Sequence, residues 1–511
     1  MEGVTPAILR PEHPTPRPLS ALANEFGIED FDAGDAEVTG ITNNSRDVRP
    51  GDIFAALPGA ATHGAAFSAG AVDAGAVAIV TDSAGALLQG ELEVPVLVVE
   101  NVREALGEIS AWVYRTLENP PRMFGITGTN GKTSTSFILE GLLKNLGFVT
   151  GLSTTAERHV GDLVMTSKLT TPEASELHAL LARMSEEGVR AAVLEVSAQA
   201  IERHRIAGIR FDVVAFTNLS HDHLDDYGSM EAYFEVKREL FSPDRAERGV
   251  VCVDTEWGAR VAEDTRIPVT TVSSNGAEAD WQVSITAETV AGTKFSLTGP
   301  ESRSIDVDLP FIGRHMASNA AVAILMLVES GFDLDAIIES IAHGVRPELP
   351  GRMERVDSGN GPVVFVDYGH SPDAFIQTLQ ALRSVTPGKL IMMFGADGDR
   401  DALKRADMGR IAAELADVVI VTDFNPRTED AASIRAQVLA GARAVRDDES
   451  IEEVFPEESA IRRAIEHAEQ GDTIIWAGPG DADYRDVRGV REPFVAVTET
   501  KRALEEAGWH A

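Results

Sequence analysis

The sequence predicts an α/β protein of three domains, on three observations. Its 511 residues are enough for several hydrophobic cores. Residues 122–147 read as a buried strand, a Gly-rich turn and a helix. Short apolar runs recur along the chain, and many of them empty into a polar loop, as the strands of parallel sheets do.

Composition narrows the class. Apolar residues make up 44% and charged residues 25%, as in a soluble globular protein. The longest apolar run, 320–328, is too short to span a bilayer. Residues 1–20 contain Pro6, Pro11, Pro14, Pro16 and Pro18 and lack the apolar stretch of a signal peptide, so 1–18 is expected to be a mobile leader. The single Cys252 excludes an internal disulfide and a Cys-based zinc site, which fits a cytoplasmic protein. With 45 basic against 81 acidic residues the formal charge is −36, which disfavours nucleic acid and anionic membrane as partners. No membrane insertion is expected, and the chain is expected to act as a monomer.

The first domain is read as 19–117, with strands at 52–57, 76–80 and 94–99 and helices at 65–74 and 102–117. Its loops 41–46 and 59–64 are polar and rich in small residues, and by themselves indicate only turns. Asn119-Pro120-Pro121 marks a linker. The second domain, 120–347, opens with the strand–turn–helix. Strands at 190–196 and 211–217 follow, then an antiparallel meander at 281–309 (Val283, Ile285; Phe295, Leu297; Ile305, Val307 alternate) and a helix at 315–330. The third, 351–511, is Rossmann-like, with strands at 363–366, 390–394, 418–421 and 473–476 and helices at 372–384 and 402–415. Its loops 367–371, 395–401, 423–427 and 478–481 carry ligand-type residues at strand ends and suggest a second binding edge.

The turn of the second domain is the most specific feature. Gly128-Thr129-Asn130-Gly131-Lys132-Thr133-Ser134 exposes backbone N–H groups at a helix N-terminus, a site for phosphates. Lys132 adds a point charge, and Thr133 or Ser134 offers a hydroxyl to Mg²⁺. It is not a strict Walker A, since Ile126 stands where that pattern needs Gly. Glu195 ends a neighbouring strand, where a phosphate-loop enzyme holds Mg²⁺ directly or through water. His221 and His223 are open to metal ligation, acid–base work or a structural role. Lys237 would by pattern alone be a solvated helix lysine. No guanine-reading Asn-Lys-x-Asp and no kinase-type catalytic loop occurs.

Several motifs then stand in register. They are the phosphate loop, Leu194-Glu195-Val196-Ser197, Phe216-Thr217-Asn218-Leu219-Ser220-His221-Asp222-His223-Leu224-Asp225, Gly351-Arg352-Met353-Glu354, Asp367-Tyr368-Gly369-His370-Ser371-Pro372-Asp373 and Gly398-Asp399-Arg400-Asp401. In order and spacing they resemble the Mur ligase family, from about residue 19 to the C-terminus. The Asn-Ser-Arg loop, Thr170-Thr171-Pro172-Glu173 and Asn425-Pro426-Arg427 are most similar to its MurE type.

The resemblance implies an ATP-dependent amide ligase. ATP would phosphorylate the D-Glu side chain of UDP-MurNAc-L-Ala-D-Glu, and an amine would attack the acyl phosphate. It implies Lys132 at the β- and γ-phosphates, with Thr133, Glu195, His223 and a carbamylated Lys237 around Mg²⁺. It puts Asn319, Arg352 and Asp367 on the nucleotide. Asn43, Ser45, Ala60, Ala61 and Thr62 would face the uridine diphosphate, and Thr170, Thr171, Ser197, Arg203 and Arg205 the muramoyl dipeptide. Arg400, Asn425, Arg427 and Gly478 would face the incoming amino acid. A MurF-like or folylpolyglutamate-synthase-like ligase and a non-ligating nucleotide-binding regulator are the alternatives.

The amino-acid loops depart from the family. Diaminopimelate-adding members read Asp-Asn-Pro-Arg and Gly-Lys-Gly-His-Glu, where this chain has Phe424-Asn425-Pro426-Arg427 and Gly478-Pro479-Gly480-Asp481-Ala482. A buried ammonium without its carboxylate loses about 3 kcal/mol or more. Asp481 or Asp483 is the expected replacement. The retained arginines favour diaminopimelate; Phe424 and Ala482 favour lysine, ornithine or diaminobutyrate, and the second group is preferred.

Overall fold

The computed structural model describes residues 9–26, 36–59, 61–167, 169–221, 224–342, 344–345, 347, 349–356 and 358–509. Three sheets organise three domains. The first is parallel, in the order Gly40–Thr42, Asp52–Ala55, Ala78–Thr81, Val96–Val98. Helix Val102–Tyr114 lays Leu106, Ile109 and Val113 into its core. Asn101 starts that helix by accepting the N–H groups of Arg103 and Glu104.

In the central sheet, strand Arg122–Thr127 lies between Ala191–Glu195 and Phe211–Phe216, parallel to both. Ile126 faces Glu195 and Thr127 faces Phe216 in register, so the loops that follow these strands meet at one edge. The expected meander is present as Trp281–Thr289, Gly292–Thr298 and Ser304–Leu309, and it extends this same sheet through a parallel pairing of Val272 with Trp281. Helices Lys132–Asn145 and Arg314–Glu329 share one core. The second is buried at every position from Met316 to Leu327, which explains its unbroken apolar run.

The third sheet runs Glu354–Val356, Val363–Asp367, Thr473–Ala477, Leu390–Phe394, Val418–Val421, Ile451–Glu453, parallel except for its first pair. Its expected loops therefore gather at one edge. Two hairpins have no counterpart in the sequence reading: Glu157–Val160 with Leu163–Thr166, and Tyr484–Val487 with Val490–Pro493. The second has no buried residue, so it lacks the apolar alternation by which strands are recognised.

The leader is a correction. From residue 9 onward it is a docked strap, because its arginines find partners that its prolines gave no hint of. The Arg10 guanidinium meets the Asp52 carboxylate at 2.7 Å with both side chains almost fully buried, and donates to the Asp47 carbonyl. Arg17 lies 3.8 Å from the Trp112 ring centre, and Arg17–Pro18 pairs with Glu37–Val38. The N–H groups of Glu12 and His13 both reach the Glu186 carboxylate at 2.8 Å, tying the strap to the central domain.

A buried charge cluster braces the phosphate-loop helix. Glu140 on that helix accepts from His159 Nδ1 at 2.9 Å and from Thr150 Oγ1 at 3.0 Å, while Glu157 meets His159 Nε2 at 3.0 Å. Burial alone would lower the imidazole pKa, but the two carboxylates outweigh it and raise the value to about 9.

Two measurements test this packing. Removing Arg10 leaves a buried carboxylate unpaired, so Arg10→Ala should destabilise the chain by about 3–5 kcal/mol in urea unfolding. Adding Asp52→Asn to that variant should restore most of the loss; a neutral Arg10→Ala would show that the strap is not anchored there. For His159, a folded pKa above the unfolded value makes its contribution full below about pH 6.5 and lost as pH rises through about 9. Stability should therefore fall by up to about 3 kcal/mol across that window. His159→Gln should flatten the profile there.

Candidate active site

The chain leaves Thr127 and turns through Gly128 (φ 148°) and Gly131 (φ 87°) into helix Lys132–Asn145. Both positions need glycine for space as well as for φ. A Cβ at 128 would stand 2.0 Å from Thr217 Oγ1, and one at 131 would stand 2.4 Å from Asn319 Oδ1. The loop is clasped by the end of the adjacent strand. Thr129 N–H donates to the Asn218 carbonyl and Asn130 N–H to Asn218 Oδ1, each at 2.9 Å. The Asn130 carbonyl accepts from Thr217 Oγ1 at 2.6 Å and from Asn218 Nδ2 at 3.0 Å. Lys132 Nζ curls over the loop onto the carbonyls of Gly128 (3.1 Å) and Thr129 (2.9 Å).

Glu195, on the other flank, is buried at its strand end. Thr155 steadies both of its oxygens, through its N–H at 3.2 Å and its hydroxyl at 3.0 Å, and that hydroxyl also reaches Thr170 Oγ1 at 3.0 Å. Thr171 Oγ1 donates to the Glu195 carbonyl at 2.7 Å and accepts from Ser197 N–H. Thr155 was not singled out from sequence: it follows strand Thr150–Ser153 by two residues, and only the pairing of that strand with Ala191–Glu195 brings it to Glu195. Lys237 is not the solvated lysine that its pattern suggests. It is buried, its Nζ donates to the Gly128 carbonyl at 2.9 Å, and it stands 4.6 Å from the Tyr233 ring centre.

The third domain closes onto this edge. Arg352 lies over the Tyr368 ring at 3.8 Å, and its Nη2 donates to Thr133 Oγ1 at 3.3 Å. Asp373 accepts from Asn130 Nδ2 at 3.3 Å. The Asp367 carboxylate accepts the N–H groups of Met353 and Gly369, both at 2.9 Å, and keeps lone pairs for a further donor. Arg427 pairs with Asp397 at 3.3 Å, and Arg400 is exposed. Asn425 Oδ1 accepts from Asp486 N–H at 2.7 Å, while Gly478 (φ 120°) donates its N–H to the Asp367 carbonyl at 2.9 Å.

One cleft of about 1000 Å³ joins these parts, with Lys132, Glu195 and Lys237 on one side and Arg352, Arg400 and Arg427 on the other. Thr170, Ser197, Arg205, Asn319 and Asp367 also line it. Thr171, Arg203, Asn425 and Gly478 do not, and neither do Asn43, Ser45, Ala61 and Thr62 of the first domain. Asn43 instead accepts from Ser175 Oγ at 3.1 Å, which links its loop to the central domain. Ala60 and His223 lie outside the described residues.

The residues present fit a nucleoside triphosphate with Mg²⁺. The two glycines make a cradle that a Cβ would fill, at a helix end whose first N–H groups have no intrahelical partner. Thr133 and Glu195 offer a hydroxyl and a carboxylate, the hard oxygen donors Mg²⁺ takes beside phosphate and water. No cluster of three or more His, Cys, Asp or Glu suited to a metal occurs among the described residues. No helix among them is long and apolar enough to cross a membrane.

Comparison with known proteins agrees along the chain. Family models match residues 37–114 (Mur ligase family, catalytic domain), 126–327 (Mur ligase middle domain) and 351–480 (Mur ligase, glutamate ligase domain). The UDP-N-acetylmuramyl-tripeptide synthetase of Leifsonia xyli subsp. xyli is 54% identical, with all of both chains covered. The UDP-N-acetylmuramoyl-L-alanyl-D-glutamate–2,6-diaminopimelate ligase of Streptomyces avermitilis is 42% identical, covering 97% of this chain and 98% of that one. A solved structure of a ligase with that same name superposes with a TM-score of 0.65 at 28% identity, over 93% of this chain and 96% of the other. The chain thus belongs to the Mur ligase family and, within it, to the MurE type, the ATP-dependent peptide-bond-forming ligases of peptidoglycan precursor synthesis that add the third amino acid.

Proposed function

We propose that the chain joins a diamino acid to the D-Glu side chain of UDP-MurNAc-L-Ala-D-Glu through an acyl phosphate, as a cytoplasmic monomer. The observation that carries this reading is the single cleft in which the phosphate loop and Glu195 face the arginines of the third domain. A carboxylate is a poor electrophile at neutral pH, so it must be activated before an amide can form. A D-Glu oxygen attacks the γ-phosphorus of ATP, and the bond to the departing ADP breaks. The amine then attacks the acyl carbon, loses a proton, and phosphate leaves.

Most of this chemistry is positioning and neutralisation of charge. Lys132 exchanges its loop carbonyls for the β- and γ-phosphate oxygens. Thr133 and Glu195 would hold Mg²⁺, with His223 and a carbamylated Lys237 as further ligands, and the ion would supply positive charge to the phosphates. Carbamylation makes Lys237 an anionic oxygen donor, which gives a buried lysine at a metal site a purpose. Arg352, Asn319 and Asp367 hold the nucleotide. Thr170, Ser197 and Arg205 line the donor side for the muramoyl dipeptide, with Thr171 bracing Glu195 and Arg203 at its margin. Asn43, Ser45 and the loop Ala60-Ala61-Thr62 meet the uridine diphosphate.

Arg400 and Arg427 form the acceptor side of the cleft, and Asn425 and Gly478 stand on the loops of that side, outside the lining. The names of the Streptomyces and Corynebacterium relatives specify 2,6-diaminopimelate, and the Leifsonia name specifies no amino acid. They lend no support to favouring lysine, ornithine or diaminobutyrate, a preference that rests on Phe424 and Ala482 alone.

The deciding experiment is a product mass measurement with ATP, UDP-MurNAc-L-Ala-D-Glu and each of the four diamino acids in turn. One of them should be added, with ADP and phosphate released together. ATP turnover that ignores the muramoyl nucleotide would favour the regulator reading instead. Lys132→Ala should lower kcat by about 100-fold or more. Lys237→Ala should do the same, and Lys237→Arg should not rescue it, since a guanidinium forms no stable carbamate.

A further inference from the structure

Resting on that reading, the acceptor side raises a question of charge. A distal ammonium must enter a cleft that already presents Arg400, Lys404 and Arg427. It needs an anion, and neither Phe424 nor Ala482 supplies one. The nearby carboxylates are mostly committed. Asp397 pairs with Arg427, Asp423 with Arg435, and Asp399 accepts the Thr428 N–H and hydroxyl. Asp481 stands 3.9 Å from Arg352, on the nucleotide side, and Asp483 is exposed. The two replacements expected from sequence are therefore poorly placed for the task.

Asp486 is different. Its Oδ1 is buried and has no hydrogen-bond partner among the described residues. A carboxylate oxygen in that condition is costly unless a donor arrives. Its backbone is locked to the acceptor loop: its N–H donates to Asn425 Oδ1 at 2.7 Å, and its carbonyl accepts the Arg427 N–H at 3.0 Å. Tyr484, two residues earlier on the same strand, lines the cleft. Alternate residues of a strand share a face, so Asp486 shares the face of Tyr484 and stands next to the cleft, outside its lining residues, whereas Asp401 is one of them. Asp401 also has a partnerless buried oxygen, but its other oxygen closes a local turn onto Leu403 N–H and it is not fixed to the Asn425–Arg427 segment.

We propose that Asp486 is the specificity-determining carboxylate that receives the distal ammonium of the incoming diamino acid. The hairpin Tyr484–Pro493 thereby takes over a task that substituted loop residues no longer perform.

The test compares the full-length wild type with Asp486→Asn and Asp486→Glu. The substrates are the diamino acid that wild type uses and the analogue with the same skeleton lacking the distal amine. In Asp486→Asn the KM for the diamino acid should rise about tenfold or more. The KM values for ATP and UDP-MurNAc-L-Ala-D-Glu should stay put, and the preference for the diamino acid over its analogue should shrink by the same factor. Asp486→Glu, which keeps the charge, should recover part of that preference. An unchanged preference in Asp486→Asn overturns the proposal, as does a loss that appears in Asp401→Asn instead. A wild type that ligates no diamino acid at all would overturn the ligase reading, and it would show before any variant is compared.

Discussion

The phosphate loop is held from outside, by the end of the neighbouring strand, and the rest of the active edge depends on that clasp. Four hydrogen bonds from Thr217 and Asn218 fix Thr129 and Asn130. The clasp works only because residue 128 has no side chain, since a Cβ there would collide with Thr217 Oγ1. The sheet register then does the remaining placement. With Ile126 opposite Glu195 on one side and Thr127 opposite Phe216 on the other, the loop has a carboxylate on one flank and its clasp on the other. Lys237 holds the same loop through the Gly128 carbonyl.

Charge follows a similar logic of local arrangement against an adverse background. The chain carries a formal −36, yet both donor substrates are anions. Attraction must come from short-range contacts, and one cleft gathers Lys132, Arg352, Arg400 and Arg427. Acidic partners keep several of these cations oriented, as Asp397 does for Arg427. Behind them Arg405 is almost fully buried and holds Glu429 at 2.8 Å and the Asp397 carbonyl at 2.9 Å, which steadies the loop on which Arg400 stands.

Legibility followed periodicity and the strength of local signals. Strands 390–394 and 418–421 were readable to the residue because they are fully buried apolar runs. The phosphate loop was readable because its glycines and lysine have a mechanical reason for their spacing. The leader was misread, since proline content speaks for a lack of core but says nothing of Arg10 finding Asp52 forty-two residues away. Hairpin Tyr484–Pro493 was invisible because it buries no face. Thr155 and Lys237 owe their roles to tertiary neighbours, and no local pattern distinguishes them from surface residues.

The loop at Phe424 shows how a side chain can change in this fold without disturbing the main chain around it. The Asn425–Arg427 segment takes its shape from main-chain partners: Gly398 N–H on the Asn425 carbonyl, Asp486 N–H on Asn425 Oδ1, and Arg427 N–H on the Asp486 carbonyl. None of these bonds uses the side chain at 424. That position can change from a carboxylate to Phe424 without moving Arg427. Phe424 simply rests against Gly478, at a distance that would be ordinary contact even for a Cβ there. The phosphate loop has less freedom, because three of the four bonds of its clasp use a side chain and residues 128 and 131 must carry none. Substitution at position 424 therefore leaves both the Asn425–Arg427 segment and the distant phosphate loop in place.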